Sequence, residues 1–266
     1  MRSPLERLLL LLPCVLLCLG SASGDIFSRS QLPAGGVGQP IAGGSVCGPI
    51  VLSQSSSTAV EALNSVACTG GGLHTDNSYF RAFDGSDVGG LAWFEVCSIS
   101  LGIESATGAG GDQPVEIILW AGPDGFPTGF PGSYTQIAST SVQIPDQALT
   151  VIEIPITPVV PGDVDLLVVE VFTPNGQTEG NRFFIGSNNA GESGPSYIQA
   201  ADCSAPTPTP TSVIGIPQMQ IVLEVNGDLV IPDDPPPLVP VLQPTGLLIL
   251  TVLLVLAGSL LIHRRS

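Results

Sequence analysis

Between residues 47 and 229 the apolar positions recur every second residue. Cys97, Ile99, Leu101 and Ile103 alternate with polar or small neighbours and share one face, and Val115, Ile117 and Leu119 share another. Ile152, Ile154 and Ile156 repeat the pattern, as do Met219, Ile221, Leu223 and Val225. A period of two puts successive side chains on opposite faces of an extended strand, so each series predicts a half-buried β-strand. The run Leu166, Leu167, Val168 and Val169 is apolar on both faces, which predicts a central strand covered on both sides.

Turn-forming clusters separate these runs, at residues 108–112, 122–132, 145–147, 161–162 and 174–176. No stretch between the two ends carries the 3.6-residue period of an amphipathic helix. Many short strands joined by Gly- and Pro-rich turns predict an all-β chain, a single jelly-roll-like β-sandwich over residues 47–229. Residues 25–46 have little pattern and read as a leader into the fold. Residues 204–211, Ser-Ala-Pro-Thr-Pro-Thr-Pro-Thr, read as an extended connector inside the domain.

The two ends are different. Residues 1–24 read as a signal peptide: Arg2 and Arg7 precede a short apolar stretch, and Ser21, Ala22 and Ser23 supply the small residues of a cleavage site. Cys14 and Cys18 follow Pro13 and Leu17, not the small residue that lipoprotein processing needs. Residues 230–244 hold six prolines in fifteen positions and form a spacer that, extended, reaches about 45 Å. Residues 246–262 carry no charge and, as a helix, span about 25 Å, near the lower limit for a bilayer. His263, Arg264 and Arg265 follow at once, which keeps the terminus on the cytoplasmic side. Residues 245–266 are thus expected to be a transmembrane helix with a basic end.

The order Val239-Pro240-Val241-Leu242, then Gly246, then the apolar run, then Arg264-Arg265 resembles the IPTL-CTERM sorting signal, one of the tripartite bacterial tails similar to PEP-CTERM. It departs from that pattern at Val241, where the family has Thr, and at Gln243, Pro244 and Thr245. The body resembles the β-sandwich ectodomains that precede such tails, in residues 76–81, 125–132 and 181–187. The resemblance implies export to a Gram-negative envelope, a single pass with a cytoplasmic C-terminus before any processing, and an exosortase-like membrane protease as partner. It implies no reaction. A glycolipid-anchor signal would lack the terminal arginines, and no Asn-x-Ser/Thr sequon is present.

Charge narrows the partners. Only three arginines, Arg29, Arg81 and Arg182, stand in the body against 22 of the chain's 23 acidic residues, and there is no lysine. Such a surface repels phosphate backbones, which excludes nucleic acid. Each arginine is expected in an ion pair or over a cluster of carbonyls.

Four cysteines remain after the signal: Cys47, Cys68, Cys97 and Cys203. An even number in an exported chain predicts two disulfides. Cys47–Cys68 across a hairpin with its tip near Ser57, together with Cys97–Cys203, is the first pairing; Cys68–Cys203 is the alternative.

Candidate chemistry is sparse. His74 is the one histidine outside the tail, and no Gly-x-Ser-x-Gly surrounds a nucleophile. No catalytic residue, cofactor-binding residue or metal ligand is assigned, and the chain is not expected to be an enzyme. Asp76, Asp84, Asp87 and Glu95 make calcium the one candidate ion. Tyr79, Phe80, Phe83, Trp93 and Phe94 are the one concentration of aromatics, and Trp120 stands close to Gly122 and Asp124, at a loop mouth. The sequence therefore predicts a structural or interaction role at the cell surface, with a carbohydrate- or calcium-dependent binding module as alternative and an extracellular hydrolase as a distant third. Its partners would be the membrane and a surface glycan or protein ligand.

Overall fold

The structure, a computed structural model, describes residues 24–30, 48–88 and 93–230. The expected signal peptide, most of the leader, the proline spacer and the terminal apolar helix with its sorting motif lie outside the described residues. No helix among those described is long and apolar enough to cross a membrane.

Seventeen strands follow one another: β1 Ile26–Arg29, β2 Ile50–Ser53, β3 Val66–Gly70, β4 Leu73–His74, β5 Asn77–Asp84, β6 Trp93–Thr107, β7 Asp112–Gly122, β8 Thr135–Pro145 and β9 Gln147–Pro155. Then come β10 Val159–Val160, β11 Leu166–Thr173, β12 Arg182–Ile185, β13 Ser187–Asn188, β14 Tyr197–Ala200, β15 Ala205–Pro210, β16 Gln220–Ile221 and β17 Leu223–Val230. Every pairing is antiparallel. One six-stranded sheet runs β15-β14-β5-β11-β7-β8. The other is built on the long β6, which has β9 and β10 along one edge, β17 and β12 along the other, and β2 outside β17.

Four pairings nest. β2 pairs with β17, β5 with β11, β6 with β9 and β7 with β8. Each outer pair encloses the next in the chain, and successive pairs alternate between the two sheets. The inward rows of both sheets form one core: Ile99, Leu101, Ile103, Ile152, Ile154, Leu223 and Val225 from the β6 sheet, against Tyr79, Val115, Ile117, Leu119, Leu167, Val169 and Val171 from the β11 sheet. Burying each such side chain contributes about 1.5–3 kcal/mol.

The alternation predicted for these strands breaks at two places. The series from Met219 to Val225 is not one strand but is divided between β16 and β17, with Val222 buried between them. Opposite β17 the register of β6 slips by one between Val96 and Ser98, and Cys97 is the extra residue. Phe94 and Val96 before the bulge and Ile99 after it all face the core, while Cys97 is only half-buried. The sheet edges also close tightly at one crossing. Gly186 donates its N–H to the Gly102 carbonyl at 2.6 Å, and a Cβ on Gly186 would lie 2.4 Å from the Gly102 carbonyl carbon. Only glycine allows these two backbones to meet.

Three expectations change. Residues 205–210 are not a connector but the edge strand β15, paired with β14. Pro206, Pro208 and Pro210 are tolerated there because an edge strand leaves part of its backbone unpaired. The leader contributes β1, which pairs with β3. No hairpin has its tip at Ser57: β2 pairs with β17, and β3 with β1 and β4.

The arginine expectation is met in full at Arg81, while the other two each meet a single carbonyl. Arg29 donates to the Leu63 carbonyl and Arg182 to the Gly72 carbonyl. Arg81, fully buried, forms an ion pair with Glu192 at 2.8 Å and also donates to the carbonyls of Gly194 and Ile221. A buried carboxylate does comparable work nearby. Glu104 accepts hydrogen bonds from the Leu63 and Ser65 amides and from the Ser30 hydroxyl. It thereby holds the turn in which Leu63 adopts a left-handed backbone, φ 61°. Burial pushes its carboxyl above the usual range, and those donors oppose the shift.

Cys68 is bonded to Cys203, across 135 residues, so the first pairing is overturned and the alternative holds. Cys97 is disulfide-bonded as well; Cys47 lies outside the described residues. The bridge ties the β3 strand to the short turn before β15. Peptide mapping without reductant is expected to recover Cys68 linked to Cys203. Cys203→Ser should lower unfolding stability by about 2–4 kcal/mol, read by denaturant titration; an unchanged midpoint would mean the bridge restrains nothing.

A candidate binding groove on the outer face of a sheet

The sheet containing β11 is buried on both faces. Its inner face meets the other sheet. On its outer face, Phe80 of β5, Leu166 and Val168 of β11 and Tyr197 of β14 form a second apolar cluster with Phe126 and Tyr134 from the loop at 123–134. Most of the rings pack edge to face: Phe126 on Tyr197 at 4.8 Å, Phe80 on Phe130 at 5.4 Å and Trp120 on Phe130 at 5.2 Å. The Tyr134 hydroxyl donates to the Pro123 carbonyl, and the Tyr197 hydroxyl to that of Phe126. At the root of the loop, Gly122 lies flat under Tyr134; a Cβ there would stand 2.1 Å from the ring. The loop is thus a fixed cover over part of the sheet.

Beyond its edge the outer face is open as a groove of about 510 Å³. Phe130 and Pro131 form one wall, and Pro206, Thr207 and Pro208 of the edge strand form the other. The floor is the outward row of three adjacent strands: Ser78, then Glu170 and Phe172, then Glu116, Ile118 and Trp120. Gln199 and Gln136 add amides at its ends. Trp120, Ile118 and Glu116 alternate with the core residues Leu119 and Ile117, so one strand supplies the sandwich interior with one face and the groove with the other.

Glu170 organises the floor. It is 8% exposed, and each of its oxygens accepts one hydrogen bond, from the Ser78 hydroxyl at 2.6 Å and from the Trp120 indole N–H at 2.9 Å. The indole therefore has its polar atom spent and its edge locked, while part of the ring borders the groove. Burial holds the Glu170 carboxyl above the usual range, the two donors oppose this, and the Glu116 charge adds to it.

The other sequence candidates are scattered. Asp76 accepts the Asn175 amide and Asp84 the Ser86 amide; the Ser86 hydroxyl, and after it that amide, draw the Asp84 carboxyl below its usual range, and Glu95 is exposed on β6. Asp87 lies in the 3-10 turn Gly85–Val88. Asp84 borders a separate acidic recess with Asp124, Asp163 and Asp165. Among the described residues no three acidic, histidine or cysteine side chains form a metal-binding group.

His74 is buried, with its ring nitrogens 3.0 Å from the Asn181 carbonyl and 2.9 Å from that of Pro174. Neither nitrogen meets a serine or a carboxylate, so no Ser-His-Asp relay forms around it. Burial draws its pKa below the ordinary value, against the pull of the two carbonyls.

Tyr79, Phe83 and Phe94 belong to the core, Phe80 to the outer cluster, and Trp93 is exposed at the end of β6. The concentration of aromatics expected around residues 79–94 is therefore divided over both faces. Of the aromatics singled out in the sequence, Trp120 alone reaches the groove. Of the other rings there, Phe172 lies on the predicted central strand and Phe130 was legible only as part of a turn.

No family model matches the chain, and no curated protein matches it. Among solved structures, the cysteine protease and lectin-like domains of Cwp84, a surface-layer associated protein of Clostridium difficile, align at 12% identity with a TM-score of 0.42. The alignment covers 64% of this chain and 38% of that one.

Glu170 yields a pH test. Its folded-state pKa is raised, so its stabilising contribution is complete below the ordinary glutamate value and is lost as pH rises through the higher, folded-state value. A Gln at 170 does not titrate and can still accept from Trp120. The stability of Glu170→Gln relative to the parent should therefore increase between about pH 4 and pH 8, measured by thermal unfolding; a constant difference would show that burial exerts no such pressure.

Proposed function

We propose that this protein is an exported, membrane-sorted bacterial surface protein whose β-sandwich binds a glycan in the outer-face groove. The observation that carries the binding is Trp120, half-buried at the groove floor with its N–H fixed by Glu170. A flat apolar ring held beside hydroxyl, amide and carboxylate groups suits a sugar, which offers a C–H face for stacking and hydroxyls for hydrogen bonds. The groove volume lies within the usual range for small-ligand sites. The nested strand pairs support a jelly-roll-like reading of the sandwich, an architecture that hosts lectin domains.

Export is supported by the Cys68–Cys203 bond, because such bonds persist outside reducing compartments. On this reading residues 1–24 are removed as the signal peptide. Residues 230–244 hold the body away from the membrane. An exosortase-like protease recognises Val239-Pro240-Val241-Leu242, with the helix from Gly246 and the basic Arg264-Arg265 end. The protein lies on the outer side of a Gram-negative envelope.

One observation favours a second reading, glycoside hydrolysis. Glu170, buried with a raised pKa, and Glu116 share the groove, and two unequal carboxylates are what that chemistry uses. Binding remains the better reading, since both Glu170 oxygens are already occupied by Ser78 and Trp120.

A glycan array is expected to return reproducible ligands that Trp120→Ala weakens by about tenfold or more, with the variant shown to be folded by circular dichroism; an array blank for the parent would overturn the binding reading. Reducing ends released by the parent and not by Glu170→Gln would shift the reading to hydrolysis. Intact-mass analysis of the protein from its native envelope should show a chain ending near Val239–Leu242, whereas a mass running to Ser266 would make the tail a plain anchor.

A further inference from the structure

The charge of the groove is one-sided. Glu170 is in register with Ile118, and Glu116 is two residues along the same face of β7. The two carboxylates are therefore diagonal neighbours across adjacent strands, with Cβ atoms about 7 Å apart. Ser78 and Trp120 satisfy Glu170, but they are neutral. Glu116 is half-buried and has no hydrogen-bond or ion-pair partner among the described residues.

No cation of the body reaches the groove. Arg81 is spent between the sheets on Glu192 and backbone carbonyls. Arg29 and Arg182 line a different recess, beside Thr69 and Phe184. There is no lysine to take their place.

A groove whose unpaired carboxylate, Glu116, faces no cation repels a carboxylated or sulfated sugar and attracts a ligand that brings its own positive charge. The half-exposed indole favours the same ligand, because the face of a tryptophan ring attracts cations as well as sugar C–H groups. Resting on the glycan-binding reading of this groove, we infer that its preferred ligand is an amino sugar chain with free, protonated amino groups. An ammonium group sits against Glu116 and a sugar face against Trp120. Glu170 is the positioning residue that holds the indole, and Glu116 is the residue that chooses the charge.

The test compares three short β-linked oligosaccharides by calorimetry at low and moderate salt: a glucosamine tetramer, a neutral glucose tetramer and a glucuronate-containing tetramer. The glucosamine tetramer should bind about fivefold tighter than the neutral one, and the glucuronate-containing tetramer should not bind measurably. The advantage should shrink as salt is added. Glu116→Gln should bring the two affinities to within about twofold of each other and remove the salt dependence of their ratio, with the variant shown to be folded by circular dichroism.

If the neutral tetramer binds and the glucosamine tetramer binds no tighter, the amino-sugar inference falls and the glycan-binding reading stands. If none of the three binds, both fall. If the preference survives in Glu116→Gln and is insensitive to salt, it does not arise from this carboxylate and the inference is overturned.

Discussion

One buried guanidinium ties the strand β5 to three distant points of the chain. Arg81 is on the inward row of β5, between Tyr79 and Phe83, where a charge could not remain without partners. It finds them on segments more than a hundred residues later. Its Nε and Nη2 donate to the Ile221 carbonyl, while Nη1 meets Glu192 and Gly194. Glu192 accepts the Ser196 hydroxyl, and that hydroxyl accepts the Ile221 amide. The ring of bonds closes on one residue, Ile221, from both its N–H and its C=O. Removing the guanidinium would leave a carboxylate and two carbonyls without their donor, the costly way to break a buried pair.

That closure bears on the groove. β5 holds Arg81 on its inner row and Ser78 and Phe80 on its outer one. The strand order β14-β5-β11-β7 then sets Ser78, Glu170 and Trp120 on neighbouring strands at diagonal positions. Neither bond to Glu170 could form if a register slipped by one, because each outward side chain would turn into the core. The covering loop adds rigidity of another kind. Phe126, Phe130 and Tyr134 bury their rings against the sheet and leave the floor open only where Glu116, Ile118 and Trp120 emerge. The groove is preformed, with a wall and a floor fixed by packing, so any ligand there would meet surfaces that need little ordering.

Much of the strand content was legible in the residues, and the reason is local. Alternation at Val115, Ile117 and Leu119, and again at Ile152 and Ile154, reports burial directly, because a strand cannot present one face to the core without a period of two. The two-sided run at residues 166–169 correctly foretold a central strand covered on both faces. Where the reading failed, a distant partner was responsible. The Pro-Thr stretch looked like a connector until β14 offered it an edge. Cys97 looked like a core residue until the bulge against β17 displaced it. The aromatic loop at 123–134 looked like turns alone, although Phe80, Val168 and Trp120 on the outward rows were a sign that something apolar must cover them.

The sequence by itself determined an all-β body of antiparallel strands, the scarcity of cations and the placement of each arginine over carbonyls or a carboxylate. These follow from composition and from a period that each strand carries within itself. Tertiary structure alone decided that Cys68 joins Cys203, that the strands nest as they do, and that Trp120 and Ser78 both reach Glu170. Those partners stand 50 and 92 residues from Glu170. Alternation tells which side chains share a face; what lies across from that face is chosen by contacts between segments far apart in the chain.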